Sequence, residues 1–127
     1  MKKEILTNSA PQPIGPYSQG IYAEGKMIFV SGQLGLDASG NMVGNDIESQ
    51  TKQAILNIKA ILEAVNCTLK DVVKTTVLMK DLGEFAQMNT VYGEFFNEGK
   101  PARAAYQVVR LPKDGLVEIE AIAVIND

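Results

Sequence analysis

The last apolar run of the chain limits the fold more than any other feature. Residues 116–125 alternate with period two, the signature of a strand. One parity is apolar throughout: Val117, Ile119, Ala121, Ala123 and Ile125. The other mixes Leu116, Ile122 and Val124 with Glu118 and Glu120. Successive strand residues point to opposite faces of a sheet, so apolar surface emerges on both. The chain supplies two amphipathic helices to cover it. In the first, Ile47, Ala54, Ile58, Ile61 and Val65 recur at helical spacing, with Ile55 and Leu62 alongside. Asn45 and Glu48 form a capping pair at its start, and Asn66-Cys67 marks its end. In the second, Phe85, Met88, Tyr92, Phe95 and Phe96 make the stripe, Asp81 and Glu84 mark the start, and Glu98-Gly99-Lys100-Pro101 stops it. Helices about 10 Å across over strands about 4.8 Å apart cover one sheet face only. The simplest cover for the other face is a second copy of the chain; overlying loops are the alternative.

The remaining strands are predicted around these helices. Residues 21–22 and 27–31 are strand-like and split by Glu24-Gly25-Lys26, a hairpin signal. Residues 32–44, rich in Gly, Asp and Asn, read as loop, and residues 72–79, VVKTTVLM, as strand. Residues 8–19 carry three prolines and read as an ordered loop or a disordered arm. Residues 102–111 and 116–125 are predicted to close the chain as a hairpin through Pro112-Lys113-Asp114-Gly115. The expectation is one α+β domain spanning residues 1–127, with five or six strands and two helices.

Composition narrows the chemistry. There is no histidine and a single cysteine, Cys67. Histidine-based triads, Cys-His dyads, CxxC redox pairs and thiolate metal clusters are therefore excluded. The net charge of -3, the lack of tryptophan and an aromatic content of 6% argue against a nucleic-acid partner. No signal-peptide stretch follows Lys2-Lys3 and no apolar run is long enough to span a bilayer, so a cytoplasmic protein is expected. Catalysis would rest on carboxylates, Arg, Lys, Tyr, Ser, Thr, Asn and backbone groups.

If Leu111 pairs with Leu116 across the closing turn, Val109 faces Glu118, Gln107 faces Glu120 and Arg103 faces Val124. Cross-strand partners share a face, so Arg103, Gln107, Glu118 and Glu120 are expected together on the face without helices. This group fits a solvated surface or a subunit salt bridge. It equally fits a site, with Arg103 as a planar carboxylate clamp and Glu118 or Glu120 as general base. In that register Arg103 stands six residues along its strand from the position opposite Glu118, roughly 20 Å. The two meet on one small substrate only across a subunit interface.

The segment PARAAYQVVRLPKDGLVEIEAIAV, residues 101–124, resembles the C-terminal signature of the RidA (YjgF-type) family of small deaminases. Residues 14–20, IGPYSQG, resemble the family's N-terminal loop motif. Ser31-Gly32-Gln33, Val73-Lys74-Thr75-Thr76-Val77 and residues 85–96 follow in step, so the resemblance covers nearly the whole chain. It implies a chorismate-mutase-like mixed β-sheet with two helices on one face, assembled as a homotrimer with sites between subunits. It implies hydrolysis of 2-imino acids or their enamines, such as 2-iminobutanoate and 2-iminopropanoate, to 2-keto acids and ammonia. The imines would come from pyridoxal-phosphate dehydratases, and no cofactor or metal would be needed. By family position Arg103 would hold the substrate carboxylate and Glu118 would position or activate water. Tyr17, Ser31, Gly32, Asn89 and Ala105 would line the pocket.

The sequence departs from the family pattern in places. Arg103-Ala104-Ala105 stands where many relatives read Arg-Ser-Cys, so a thiol cannot be essential here. Tyr106 replaces a usual aliphatic residue and should face away from Arg103, and Gly35 stands where proline is common. Cys67 is not the family's cysteine and is expected to pack. A non-catalytic regulator that binds small carboxylates is the alternative on the same scaffold. RNA-directed and chaperone-like activities are further readings; charge and the lack of histidine count against the first, and the sequence is silent on the second.

Overall fold

The computed structural model describes residues 1–126. Along the chain come β1 (Lys2–Ile5), β2 (Gly20–Ala23), β3 (Lys26–Leu34), α1 (Ile47–Glu63), β4 (Val72–Met79), α2 (Phe85–Phe95), β5 (Ala102–Gln107) and β6 (Val117–Ile125). β1 and β2 form an antiparallel ribbon, and the other strands form a mixed sheet in the order β3-β6-β4-β5. The α+β architecture and the two helices on one face agree with the sequence.

Helix α1 begins one residue later than predicted. Asp46, in extended conformation, accepts a hydrogen bond from the Ser49 backbone N–H at 2.8 Å. That bond is the main reason its carboxyl is held below the usual carboxylate range. Ile47, Ala54, Ile55, Ile58 and Leu62 are buried, whereas Ile61 faces outward and Val65 lies beyond the helix. Helix α2 is entered through a tight turn, Leu82–Glu84, capped by the Asp81 carboxylate on the Gly83 N–H. Met88, Val91 and Tyr92 form its buried face. The buried faces of both helices share one core with Val30, Val77, Met79, Ile119, Ala121 and Ala123 of the sheet. Each valine, isoleucine or methionine among them contributes about 1.5–3 kcal/mol on full burial, and each alanine less.

Both predicted hairpins are overturned. β4 lies between β5 and β6, so residues 102–107 pair in parallel with β4 rather than with the last strand. The chain reaches that position through α2, because a parallel neighbour needs a crossover and a tight turn cannot supply one. The 112–115 turn exists, with Lys113 and Asp114 at positive φ, but it carries the chain across β4's position instead of folding it back. The Glu24-Gly25 turn likewise separates strands that find other partners: β2 pairs with β1 and β3 with β6. A Cβ on Gly25 would lie 2.3 Å from the Ile125 carbonyl oxygen, so the backbone here passes directly against β6. β3 continues through Leu34, past the point where a loop was predicted, with a bulge between Val30 and Gln33. β1, which the sequence did not flag, is tied down by backbone bonds to β2 and by Lys2 Nζ on the Lys70 and Gly99 carbonyls.

The sheet face opposite the helices is open. Met27 and Phe29 on β3 are 58% and 69% exposed, and Ile122, Val124 and Leu78 lie half-buried among them. No helix among the described residues is long and apolar enough to cross a membrane.

Candidate functional site

β4 fixes the faces. Thr75 pairs with Arg103 on one side and Ala121 on the other, whereas Leu78 pairs with Tyr106 and Glu118, and Thr76 with Glu120. Cross-strand partners share a face. Arg103 and Gln107 therefore lie on the helix side, and Glu118 and Glu120 on the open side. The expected common face for these four is wrong, because two strands that both border β4 take their parity from it. Tyr106 does face away from Arg103, as expected.

Around Arg103 the loop 13–20, α2 and β5 converge. Asn89 Oδ1 accepts from Arg103 Nη1 at 2.7 Å. The guanidinium carbon lies 4.9 Å from the Tyr92 ring centroid, 5.3 Å from that of Tyr17 and 5.4 Å from that of Phe85. Three ring faces attract the cation. No carboxylate among the described residues pairs with it. Its pKa is lowered, chiefly by burial, with the phenols of Tyr92 and Tyr17 opposing the shift; an arginine remains charged regardless. Tyr92 is fully buried and shares a 2.7 Å hydrogen bond with Thr75 Oγ1. Burial pushes its hydroxyl up to about 12.

The Tyr17 loop is fastened to the strand that carries Arg103. Ser18 N–H donates to the Pro101 carbonyl at 3.1 Å, and Ser18 Oγ to the Lys100 carbonyl. Gln19 gathers the preceding turn by bonding Thr7 and Pro11. Residues 8–19 are thus an ordered loop.

Glu118 belongs to a second group. Its carboxylate lies against the backbone of Gly32, where a Cβ would come 2.9 Å from Cδ and 3.0 Å from Oε2. Ser31 and Gly32 sit at the β3 bulge, which displaces the strand locally and turns both toward solvent. Measured on β4, Arg103 and Glu118 stand three residues apart, about 10 Å, and two strands apart, another 10 Å or so, on opposite faces. The sequence-derived candidates thus fall into two half-sites. Tyr17, Asn89, Arg103 and Ala105 gather on one, and Ser31, Gly32 and Glu118 on the other.

Phe85 and Tyr92 were missed as site residues, as was Gly15, where a Cβ would lie 3.7 Å from both Arg103 Nη2 and Asn89 Nδ2. The first two had been counted as apolar stripe. Asn89, four residues after Phe85 and three before Tyr92 on the same helix face, is the polar interruption that marks a site at the edge of this stripe. Cys67 is buried, its Sγ 3.3 Å from Asp71 Oδ2, and burial pushes the thiol up to about 11. Among the described residues no cluster of His, Cys, Asp or Glu could hold a metal.

The family model described as endoribonuclease L-PSP matches residues 7–125. A RutC family protein of Pyrococcus horikoshii is 56% identical over 97% of this chain and 98% of its own. The 2-iminobutanoate/2-iminopropanoate deaminase of Bos taurus is 50% identical over 98% of this chain and 90% of its own. The crystal structure of E. coli TdcF with bound serine is 42% identical, with a TM-score of 0.76, and the match covers 98% of this chain and 99% of that one. With identity near one half sustained from end to end, the chain belongs to the endoribonuclease L-PSP family, also known as the RidA (YjgF-type) family.

Proposed function

We propose that this protein is a single-domain cytoplasmic enzyme that hydrolyses reactive 2-imino acids and their enamines to 2-keto acids and ammonia. The observation that carries this reading is Arg103: a half-buried guanidinium, caged by three rings, with no carboxylate of its own. Such a group awaits an anion, and its planar fork suits a carboxylate. The relatives named as deaminases act on small imino acids, and serine bound to TdcF carries the same carboxylate. Pyridoxal-phosphate dehydratases would supply the imines.

Arg103 holds the substrate carboxylate, with Tyr17 and Asn89 fixing the guanidinium. Glu118 takes a proton from water as the oxygen adds to the imine carbon. The proton on Glu118 passes to the imine nitrogen, giving a tetrahedral amino alcohol; its hydroxyl proton is then carried by Glu118 to the same nitrogen as the C–N bond breaks, the C=O bond forms and ammonia leaves. Imines are electrophilic unaided, so holding the substrate and moving protons are sufficient, with no cofactor required. Ser31, Gly32 and Ala105 line the pocket. Because the two half-sites stand on opposite faces of one sheet, a complete site joins Arg103 of one copy to Glu118 of the next. The exposed Met27 and Phe29 offer the surface for that contact, and a homotrimer is the assembly proposed.

The test generates the imine in situ with threonine or serine dehydratase and follows keto-acid release. Acceleration over buffer is expected. Glu118→Gln should lower it by about 10²–10⁴, while Glu120→Gln should not. Mixed oligomers of Arg103→Ala and Glu118→Gln chains should regain partial activity. No acceleration by the parent protein, with keto acids still bound, would leave a carboxylate-binding regulator instead.

A further inference from the structure

Beside the guanidinium lies a shallow apolar concavity lined by Leu82, Phe85 and Ala105. Ala105 is two residues beyond Arg103 on the same face of β5, opposite Val77 as Arg103 is opposite Thr75. Phe85 belongs to both places, since its ring also lies 5.4 Å from the Arg103 guanidinium carbon. The third wall is fixed by a side chain from β5. Gln107 Oε1 accepts a 2.9 Å hydrogen bond from the Leu82 backbone N–H, which holds the turn before α2 against the strand. Arg103, Ala105 and Gln107 thus follow one another along a single face as anion clamp, apolar floor and wall anchor. None of the lining side chains donates or accepts a hydrogen bond or carries a charge.

Resting on the deaminase reading, we infer that this concavity receives the substrate side chain, and that the preferred substrates are 2-imino acids with apolar side chains longer than the ethyl group of 2-iminobutanoate. A carboxylate fixed on Arg103 leaves the C3 substituent a few ångströms away, within reach of Ala105 and Leu82. Each methylene that leaves water there tightens binding about fourfold. A terminal carboxylate entering the same place finds no partner and loses its hydration. Ala105, whose methyl group sets the depth of the floor, and Leu82 are the specificity-determining residues.

Calorimetric titration with keto acids tests this without depending on turnover. The series is pyruvate, 2-oxobutanoate, 2-oxopentanoate and 4-methyl-2-oxopentanoate, with 2-oxoglutarate as the charged control. Affinity should climb by at least tenfold from pyruvate to 4-methyl-2-oxopentanoate, and 2-oxoglutarate should bind at least tenfold more weakly than 2-oxopentanoate. Ala105→Leu, which fills the floor, should lower the ratio of long-chain to short-chain affinity by at least tenfold. Leu82→Ala removes an exposed wall and should lower the same ratio several-fold; it guards against misfolding of the first variant. Imine turnover is measured in parallel, with an amino-acid oxidase generating imines from leucine and from alanine. A flat or falling affinity series, or a ratio untouched by both substitutions, overturns the inference even if 2-iminobutanoate is hydrolysed. A climbing series without any turnover supports the concavity as the side-chain subsite and overturns the deaminase reading alone.

Discussion

Substituting Gly32 by alanine separates the fold from the chemistry. Gly32 has no positive φ, so alanine meets no backbone strain there. The new Cβ would stand 2.9 Å from Glu118 Cδ, 3.0 Å from Oε2 and 3.1 Å from Cγ. Carbon atoms in ordinary contact sit at about 3.5–4.0 Å. Something must move by about 0.6 Å or more, and the free end of the Glu118 side chain moves most easily. Its position on β6 is held by pairing to β4, so the strand stays and the carboxylate swings. A displacement near 1 Å at a reacting group costs on the order of 10² in rate. Gly32→Ala should therefore lower kcat/KM for imine hydrolysis by about 10–100-fold. Keto-acid affinity, which rests on Arg103, should change by less than about threefold, since the substitution leaves the guanidinium that holds the carboxylate untouched. The melting temperature should stay within a few degrees. The dehydratase-coupled assay, calorimetry and a thermal melt measure the three. Turnover within twofold of the parent would show that the Glu118 carboxylate does not stand at the reacting carbon. A large fall in melting temperature would refute the claim that the side chain yields before the strand.

Gly35→Ala should behave in the opposite way. Its Cβ would meet the Gln50 Cα at 2.7 Å, part of a helix backbone that cannot swing aside, and overpacking of this kind costs about 1–3 kcal/mol in a denaturant melt. Arg103→Lys keeps the charge but loses the fork, and a fall of at least tenfold in keto-acid affinity is expected by calorimetry; parental affinity would remove Arg103 as the clamp. Cys67 should react with aromatic disulfides far more slowly than a free thiol at pH 8, because burial holds its proton up to about 11. Tyr92 keeps its proton to about 12 when folded, against 10.0 for a free phenol, so the unfolded chain ionises first. Its contribution should be complete below pH 10 and lost as pH rises toward 12. Urea melts across that range should show a smaller decline for Tyr92→Phe than for the parent.

The helices were legible because each carries a one-sided apolar stripe, and their boundaries moved by about one to three residues, the largest shift being the end of α1 at Glu63 rather than Asn66. The cap moved from Asn45 to Asp46 because both are good capping residue types, and it is Asp46 whose carboxylate reaches the Ser49 N–H. Strand order was not legible in the same way. Pro112-Lys113-Asp114-Gly115 is a sound turn signal, but a turn reports local φ and ψ and says nothing about what lies between the strands it joins. The order of strand 72–79, helix 85–95 and strand 102–107 was the overlooked clue, since that sequence of elements builds a parallel pair. The error propagated to the site: once β4 separates β5 from β6, Arg103 and Glu118 exchange a shared face for opposite ones. The residue types that carry the chemistry were visible from composition and motif, while the ring cage around Arg103 depends on packing between α2 and the Tyr17 loop. No periodicity encodes that contact.

The placement of β6 also governs how this chain can fold. Its pairing with β3 joins Lys26 to Ile125, segments separated by most of the sequence. The same strand supplies β4 with its second neighbour, so the middle of the sheet arrives last. A chain emerging from a ribosome can form α1 and the parallel β4-α2-β5 unit early, yet β3 and β4 wait with unpaired edges until the final segment appears. Closing so long a loop before its contacts form is an entropic barrier, and topologies dominated by distant pairings fold in milliseconds to seconds rather than microseconds. During that interval the exposed edges and the apolar face of α1 are the surfaces open to misassociation. Fraying at the C-terminal end would therefore open the sheet at its centre rather than trim its margin.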